Sequence, residues 1–383
     1  MAAEIGVLST LLGLPDGLVD RIAYLLPPGD RCNLAATCTA LRAAGRRWFR
    51  GAVVRIWSGG SRLADLAGWL EGRQALIAYH LMGSAGIPAD LAAAPAGQLV
   101  AIRRWTLHQW AAPAVLARLT ALTELQLCHQ TQLGSGSSLE QILQPLAQLR
   151  DLSITTCQLA AIPAALSGCT QLTHLSLSDN LLAGGWQHLQ PLLQLRHLSL
   201  SGTDHLPASL PQLPQLTHLD LERCGNVPAF CNHLSALRLL QCVDLTHCDL
   251  TEVPAAVSAL TALTALYLGH NQLAGGFDYL LPLTRLQGLW LHANDLTQVP
   301  PAVAILTALR NLSLGNPQDG WQHLRPLAQL QYLDRAPESH FPVASEAAAN
   351  LHPAVVQRML AEPKSGLPCL LDLLAQRGLP CPV

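Results

Sequence analysis

The stretch NLLAGGWQHLQPLLQLRHLSL, Asn180 to Leu200, has a near copy in NQLAGGFDYLLPLTRLQGLWL, Asn271 to Leu291. A third echo, DGWQHLRPLAQLQYL, closes at Leu333. The copies keep their apolar residues and let the residues between them drift. Aligning the chain on the pattern Leu-x-x-Leu-x-x-Leu-x-Leu puts its third apolar position at Leu125, Leu152, Leu175, Leu198, Leu219, Val243, Leu266, Leu289, Leu312 and Leu333. The steps are 27, 23, 23, 21, 24, 23, 23, 23 and 21 residues. A period near 23 over more than half the chain marks a stack of small units, none able to bury its apolar face alone.

The closing Leu-x-Leu of each unit predicts a short strand, with the leucines in the core and the residues around them on the open face. Three residues past the second strand leucine stand Gln130, Cys157, Asn180, Thr203, Cys224, Cys248, Asn271 and Asn294. A buried Asn amide there can satisfy loop backbone groups that would otherwise go unpaired. The return segments are of two kinds that largely alternate. One carries a proline (AIPAAL, HLPASL, EVPAAV, QVPPAV), the other glycine and an aromatic residue (GGWQHL, GGFDYL, DGWQHL); GNVPAF breaks the alternation. Both kinds predict short helices or irregular turns. GSGSS, Gly134 to Ser138, reads as a long flexible loop that accounts for the 27-residue step.

Period and motif resemble the leucine-rich repeat family. The resemblance implies an α/β repeat solenoid, a horseshoe with a parallel sheet on its concave side, and binding of a protein on that side. Regular repeats cover 119–334, and 51–118 read as divergent early repeats with strands at VVRIW, ALIAYHL and IRRWTLHQ. Residues 335–383 read as a helical cap, since the last repeat of a solenoid needs a cover.

A tail, 1–12, precedes a stretch with another pattern, 13–50. Leu18, Ile22, Leu25 and Leu26 fall at helical spacing, and Asp30 is a good N-cap for a second helix. Three short helices here carry more apolar surface than so small a bundle hides, so they need a partner or a neighbouring repeat to cover. The stretch resembles an F-box: Leu14-Pro15, then Ile22 and Leu26, a turn from Pro27 to Asp30, Leu34, Thr37-Cys38 and Leu41-Arg42. It departs at Arg31, where the family often has Leu, and at Leu41, where it often has Trp. The resemblance implies the substrate-recognition subunit of a Skp–cullin–F-box ubiquitin ligase. Leu14, Pro15, Ile22, Leu26, Leu34 and Cys38 would dock the Skp adaptor, with cullin beyond it, and the repeats would hold the target. The alternative is a leucine-rich scaffold without a ubiquitin link, cytoskeletal or axonemal; a helical cap over the first repeat would use the same apolar positions.

Composition narrows the classes. Half of the 383 residues are apolar, 13% are charged and the net charge is -2, so nothing draws the chain to nucleic acid or acidic lipid. No apolar run of about 18 residues predicts a membrane span. The opening residues lack a basic region and include Glu4, so a secretory signal is not expected. Eleven cysteines without a C-x-x-C fit a reducing compartment, cytoplasm or nucleus. Cys224, Cys231, Cys242 and Cys248 with His233 or His247 match no familiar zinc spacing, so no metal and no cofactor is expected. HExxH, GxSxG and a phosphate loop are absent from the sequence, and no catalytic residue is expected.

The target site is read from the position between the strand leucines. In order it holds Gln126, Ser153, Ser176, Ser199, Asp220, Asp244, Tyr267, Trp290, Ser313 and Asp334. Two acids and then two large aromatics stand in succession, with His292 in the next column. Tyr and Trp are typical interface anchors. Asp220, Asp244, Tyr267, Trp290 and His292 are therefore the predicted target contacts, with an acidic rim suited to a basic segment.

Overall fold

The structure is a computed structural model that describes residues 53–57, 76–81, 102–108, 114–130, 137–207, 212–315, 317–334 and 352. The Skp-facing set Leu14, Pro15, Ile22, Leu26, Leu34 and Cys38 lies outside these residues, as does the helical tail expected over 335–383 apart from residue 352. The chain divides into two compact units, Met1–Gln130 with Gln141–Leu149, and Thr131–Glu140 with Arg150–Val383.

In the first unit the strands are β1 (Val53–Trp57), β2 (Leu76–Leu81), β3 (Ile102–His108) and β4 (Glu124–Cys128). Each pairs in parallel with the next, with one register shift at Ile77/Ala78. The three early stretches read as strands are therefore strands. Leu116, Leu119, Leu122, Leu125 and Leu127 are fully buried, as the repeat pattern requires.

The second unit holds β5 (Asp151–Thr155), β6 (His174–Ser176), β7 (His197–Ser199), β8 (His218–Asp220), β9 (Cys242–Asp244), β10 (Ala265–Tyr267), β11 (Gly288–Trp290), β12 (Asn311–Ser313) and β13 (Tyr332–Asp334). All pair in parallel and in chain order. Register places Leu152, Leu175, Leu198, Leu219, Val243, Leu266, Leu289, Leu312 and Leu333 side by side. The sequence period thus becomes a single core column. From β5 to β12 no strand leucine, isoleucine or valine of the motif is more than 2% exposed. Each such side chain contributes very roughly 1.5–3 kcal/mol, offset in large part by the entropy of ordering its repeat.

The ladder after the strands works as the amide chemistry requires. Asn271 Oδ1 accepts from the backbone N–H groups of Cys248 (2.9 Å) and Leu250 (3.1 Å), and its Nδ2 donates to the carbonyls of Leu245 (2.8 Å) and Leu268 (3.0 Å). Asn180 repeats the arrangement, and Asn294 accepts from Leu273 N (3.2 Å) and donates to Leu268 O and Leu291 O. A cysteine at this position supplies one donor: Cys224 Sγ reaches Leu200 O at 3.0 Å and Cys248 Sγ reaches Leu221 O at 3.1 Å. These thiols are buried, which pushes both up to about 12. The residue before the ladder is left-handed in repeat after repeat: His129, Thr156, Asp179, Arg223, His247, His270 and Ala293 have φ of 53–57°. That conformation costs about 1–2 kcal/mol per non-glycine residue, and the ladder bonds on either side hold it in place.

The two kinds of return segment prove to be partners. Prolines 163, 254 and 300 each lead into a 3₁₀ helix, Ala164–Gly168, Ala255–Ala259 and Pro301–Ile305. The following repeat enters its own, Trp186–Leu189, Phe277–Leu280 and Trp321–Leu324, through a left-handed glycine. Between the two members runs a small parallel bridge. Val253 N donates to Gly275 O (3.0 Å) and Ala274 N to Thr251 O (2.8 Å), with the same bonds at Ile162/Gly184 and Val299/Asp319. A Cβ on Gly276 would sit 2.6 Å from Val253 O, so only glycine lets the two backbones approach. The exception GNVPAF instead forms α2 (Val227–Phe230), continued by the 3₁₀ stretch Cys231–Ala236. Gly276→Ala is expected to destabilise the fold by about 2 kcal/mol, from the left-handed backbone and the contact together. Gly275→Ala, with open space around its Cβ, is the neighbouring control and should stay within about 0.5 kcal/mol. Denaturant unfolding of the two variants compares them; equal losses would contradict the bridge as the cause.

One expectation fails. The serine-rich segment after β4 is not a loop throughout: Ser137–Leu143 forms α1, with Leu139, Ile142 and Leu143 buried at helical spacing. From α1, the Glu140 carboxylate accepts the backbone N–H groups of Ala164 and Ala165 (2.6 Å for the latter), at the start of a 3₁₀ helix. Among the described residues no helix is long and apolar enough to cross a membrane.

Candidate functional site

Parallel register brings the position between the strand leucines into one outward row. Asp220 pairs with Asp244, Asp244 with Tyr267, and Tyr267 with Trp290. His292 follows Trp290 by two residues and joins the next outward column. The five residues predicted to contact a target therefore share one face, from β8 to the end of β11.

The aromatic pair is ordered. The rings of Tyr267 and Trp290 stack with centroids 3.9 Å apart and planes 9° from parallel. Strands in a sheet lie about 4.8 Å apart, so the two side chains lean together. Two glycines make room for flat rings. A Cβ on Gly288 would meet the indole of Trp290 at 2.5 Å, and one on Gly269 would meet the imidazole of His292 at 2.7 Å. His292 Nδ1 lies 3.2 Å from Ser313 Oγ. Ser313 was expected on the open face but is 1% exposed.

The acids are held by neighbouring donors. Ser199 Oγ donates to Asp220 Oδ2 (2.6 Å), Glu222 N to Asp220 Oδ1 (3.0 Å) and Thr246 N to Asp244 Oδ1 (2.9 Å). Burial pushes the Asp244 carboxyl up, the Thr246 bonds pull it down, and Asp220 and Glu222 push it up again. Burial also raises the Tyr267 phenol, helped by Cys242 and Asp244. Arg223 is paired with Glu222 at 2.7 Å, an exposed contact that adds little stability.

Two rows of histidine were not anticipated as rows. His174, His197 and His218 stack on β6, β7 and β8, with centroids 4.1 and 4.0 Å apart. His247 stacks on His270 at 4.1 Å, and His270 meets His292 edge-on at 5.1 Å. The signal was available, because all three members of the first row precede a strand leucine at the repeat period. Burial, His218, His174 and Arg196 together bring His197 down to about 4, and His218 is lowered by burial and His174. The unfolded chain therefore takes up a proton at position 197 as pH falls from 6.5 to about 4, while the folded chain does not. Stability from this group is lost across that window and constant below it. Asp244, whose carboxyl is raised, acts in the opposite sense, so a difference is the clean measurement. His197→Phe keeps a ring in the stack and removes the titration. Its melting temperature should rise relative to wild type as pH is lowered from 7 to 4.5; a constant difference would contradict the neutral stack.

Among the described residues no group of three or more His, Cys, Asp or Glu side chains could hold a metal ion. Cys224, Cys231 and Cys248 are buried thiols, and Cys242 is partly buried.

No family model matches the chain. Rat volume-regulated anion channel subunit LRRC8D is 29% identical over 192 residues, which covers 46% of this chain and 22% of that protein. Arabidopsis thaliana receptor-like protein 41 is 32% identical over 174 residues, 43% of this chain and 19% of the relative. The chain spans about a fifth of the length of these curated relatives. Among solved structures, an internalin from Listeria monocytogenes superposes with a TM-score of 0.54 at 17% identity, covering 75% of this chain and 88% of that one. A leucine-rich repeat protein of Leptospira interrogans gives 0.54 at 18% identity over 81% and 90%. The class these comparisons and the strand register define is the leucine-rich repeat solenoid. The chain has that fold.

Proposed function

We propose that the chain is a non-catalytic scaffold that binds a protein target on the open face of β8 to β11. The observation that carries this is the Tyr267–Trp290 stack, seated over Gly288 beside Asp220 and Asp244. Large aromatic side chains left half-exposed in one order cost little conformational entropy on binding and bury much area. Matched relatives include a channel subunit and a receptor-like protein, so the likeness supports the repeat and no particular activity.

Within that reading, the stretch from Leu14 to Arg50 favours a specific use. Its F-box resemblance makes the scaffold the target-holding subunit of a Skp–cullin–F-box ubiquitin ligase, acting in the cytoplasm or nucleus by holding target lysines near the conjugating enzyme. The other use is a scaffold with no ubiquitin link, on cytoskeleton or axoneme. The 383-residue chain and its Ile22→Asp variant, titrated with the Skp adaptor, separate the two. The adaptor reading expects binding that the charge abolishes, since a carboxylate in a desolvated patch costs several kcal/mol. No binding by the folded full chain, or equal binding by the variant, leaves the scaffold alone.

A further inference from the structure

Proton counting along the open face gives it a chemical sense. Ser199 spends its hydroxyl proton on Asp220. Ser178, 2.7 Å from Ser199 Oγ, must then donate to it, and Ser176, 3.1 Å from Ser178 Oγ, must donate in turn. The chain of donors runs one way, from Ser176 to Asp220. The histidine row obeys the same logic. Thr173 Oγ1 donates to Arg150 O (3.0 Å) and lies 2.9 Å from His174 Nδ1. A hydroxyl has one proton, so Nδ1 of His174 carries its own and donates it to the threonine. Thr217, Arg196 O and His218 repeat the arrangement at 3.0 and 2.9 Å. In the neutral ring that arrangement leaves Nε2 as the acceptor. Asp220 and Asp244 add carboxylates, and the guanidinium beside them, Arg223, is taken up by Glu222.

We infer that the face from β6 to β11 is an acceptor strip for an extended, arginine-bearing peptide segment of a partner protein, running across the strands with guanidinium groups at the Asp220/Asp244 pair and at the Tyr267–Trp290 stack. This rests on the scaffold reading above and names the partner's chemistry. The partner has to bring the donors that the strip has spent. Arginine brings five, accepts none, and stacks on aromatic faces. His197 and His218, both lowered by burial and by their ring neighbours, set little positive charge against it. Five strand steps of about 4.8 Å make roughly 24 Å, which an extended segment of about seven residues spans.

The test pans a displayed library of random heptapeptides against the full chain. Retained peptides are then measured on the wild type, Asp220→Asn with Asp244→Asn, Tyr267→Ala with Trp290→Ala, and Asp278→Asn, an exposed acid of the return side, each checked for folding by its thermal melt. Arginine enriched at least threefold over the input, with affinity at least tenfold weaker on the double Asn variant and unchanged on Asp278→Asn, is the expected result. Asn keeps the acceptor oxygen for the Glu222 and Thr246 amides but turns its NH2 to Ser199 Oγ at position 220, so the loss reads removal of the carboxylates together with reversal of the serine donors. Peptides without arginine enrichment that still depend on Tyr267 and Trp290 overturn the acceptor strip and leave the scaffold face standing. Peptides indifferent to both double variants, or no enrichment at all, overturn both.

Discussion

Asn271→Ala is expected to lower the unfolding free energy by about 2–4 kcal/mol. The substitution strands two buried N–H groups, of Cys248 and Leu250, and removes donors to Leu245 O and Leu268 O. Each orphaned buried backbone group costs about 1–3 kcal/mol, and none can turn to another partner without bending its repeat. Position 203 in the same ladder provides the contrast. The Thr203 hydroxyl is fully buried with no partner among the described residues, so Thr203→Val should be neutral or slightly stabilising, within about 1 kcal/mol. Urea unfolding of both variants makes the comparison. Equal effects would show that the ladder is packing and not hydrogen bonding.

The double change Tyr267→Ala with Trp290→Ala is expected to weaken target binding at least tenfold, roughly 1.4 kcal/mol or more and in the range of interface hot spots. The fold should persist at a lower melting temperature. The pair loses its mutual stacking, about 0.5–1.5 kcal/mol beyond the area it buries, while the core column of Leu266 and Leu289 beneath it is untouched. A thermal melt alongside quantitative capture of the target separates the two effects. Loss of fold together with binding would place the aromatics in the structure and not in the interface.

Much of this was legible because the leucines carry it. A motif that must bury four side chains per turn of the solenoid fixes strand position, register and inward or outward direction, so the aromatic and acidic row could be read in order. The Asn and Cys ladder was legible for the same reason. What escaped depends on neighbours. The parallel bridge between Val253 and Gly275 is a bond between two repeats, and no single repeat announces it. The rings seated over Gly269 and Gly288 depend on what the adjacent side chain leaves empty. Helix α1 was missed for a different reason: its serines outweighed Leu139, Ile142 and Leu143, whose spacing was helical from the start. Ser313 keeps its place in the outward row opposite Trp290 but is covered there, with the His292 ring 3.2 Å from its hydroxyl.

The most direct measurement places a photo-crosslinking amino acid at single positions of the full chain and identifies the attachment sites on captured protein by mass spectrometry. Positions 246 and 265, flanking the acids and the aromatic stack, are compared with 258 and 279 on the return side. If β8 to β11 hold the target, crosslinks form from 246 and 265, fall away with the Tyr267→Ala and Trp290→Ala change, and are sparse from 258 and 279. Crosslinks that come equally from the return side, or that survive loss of both aromatics, would contradict the account.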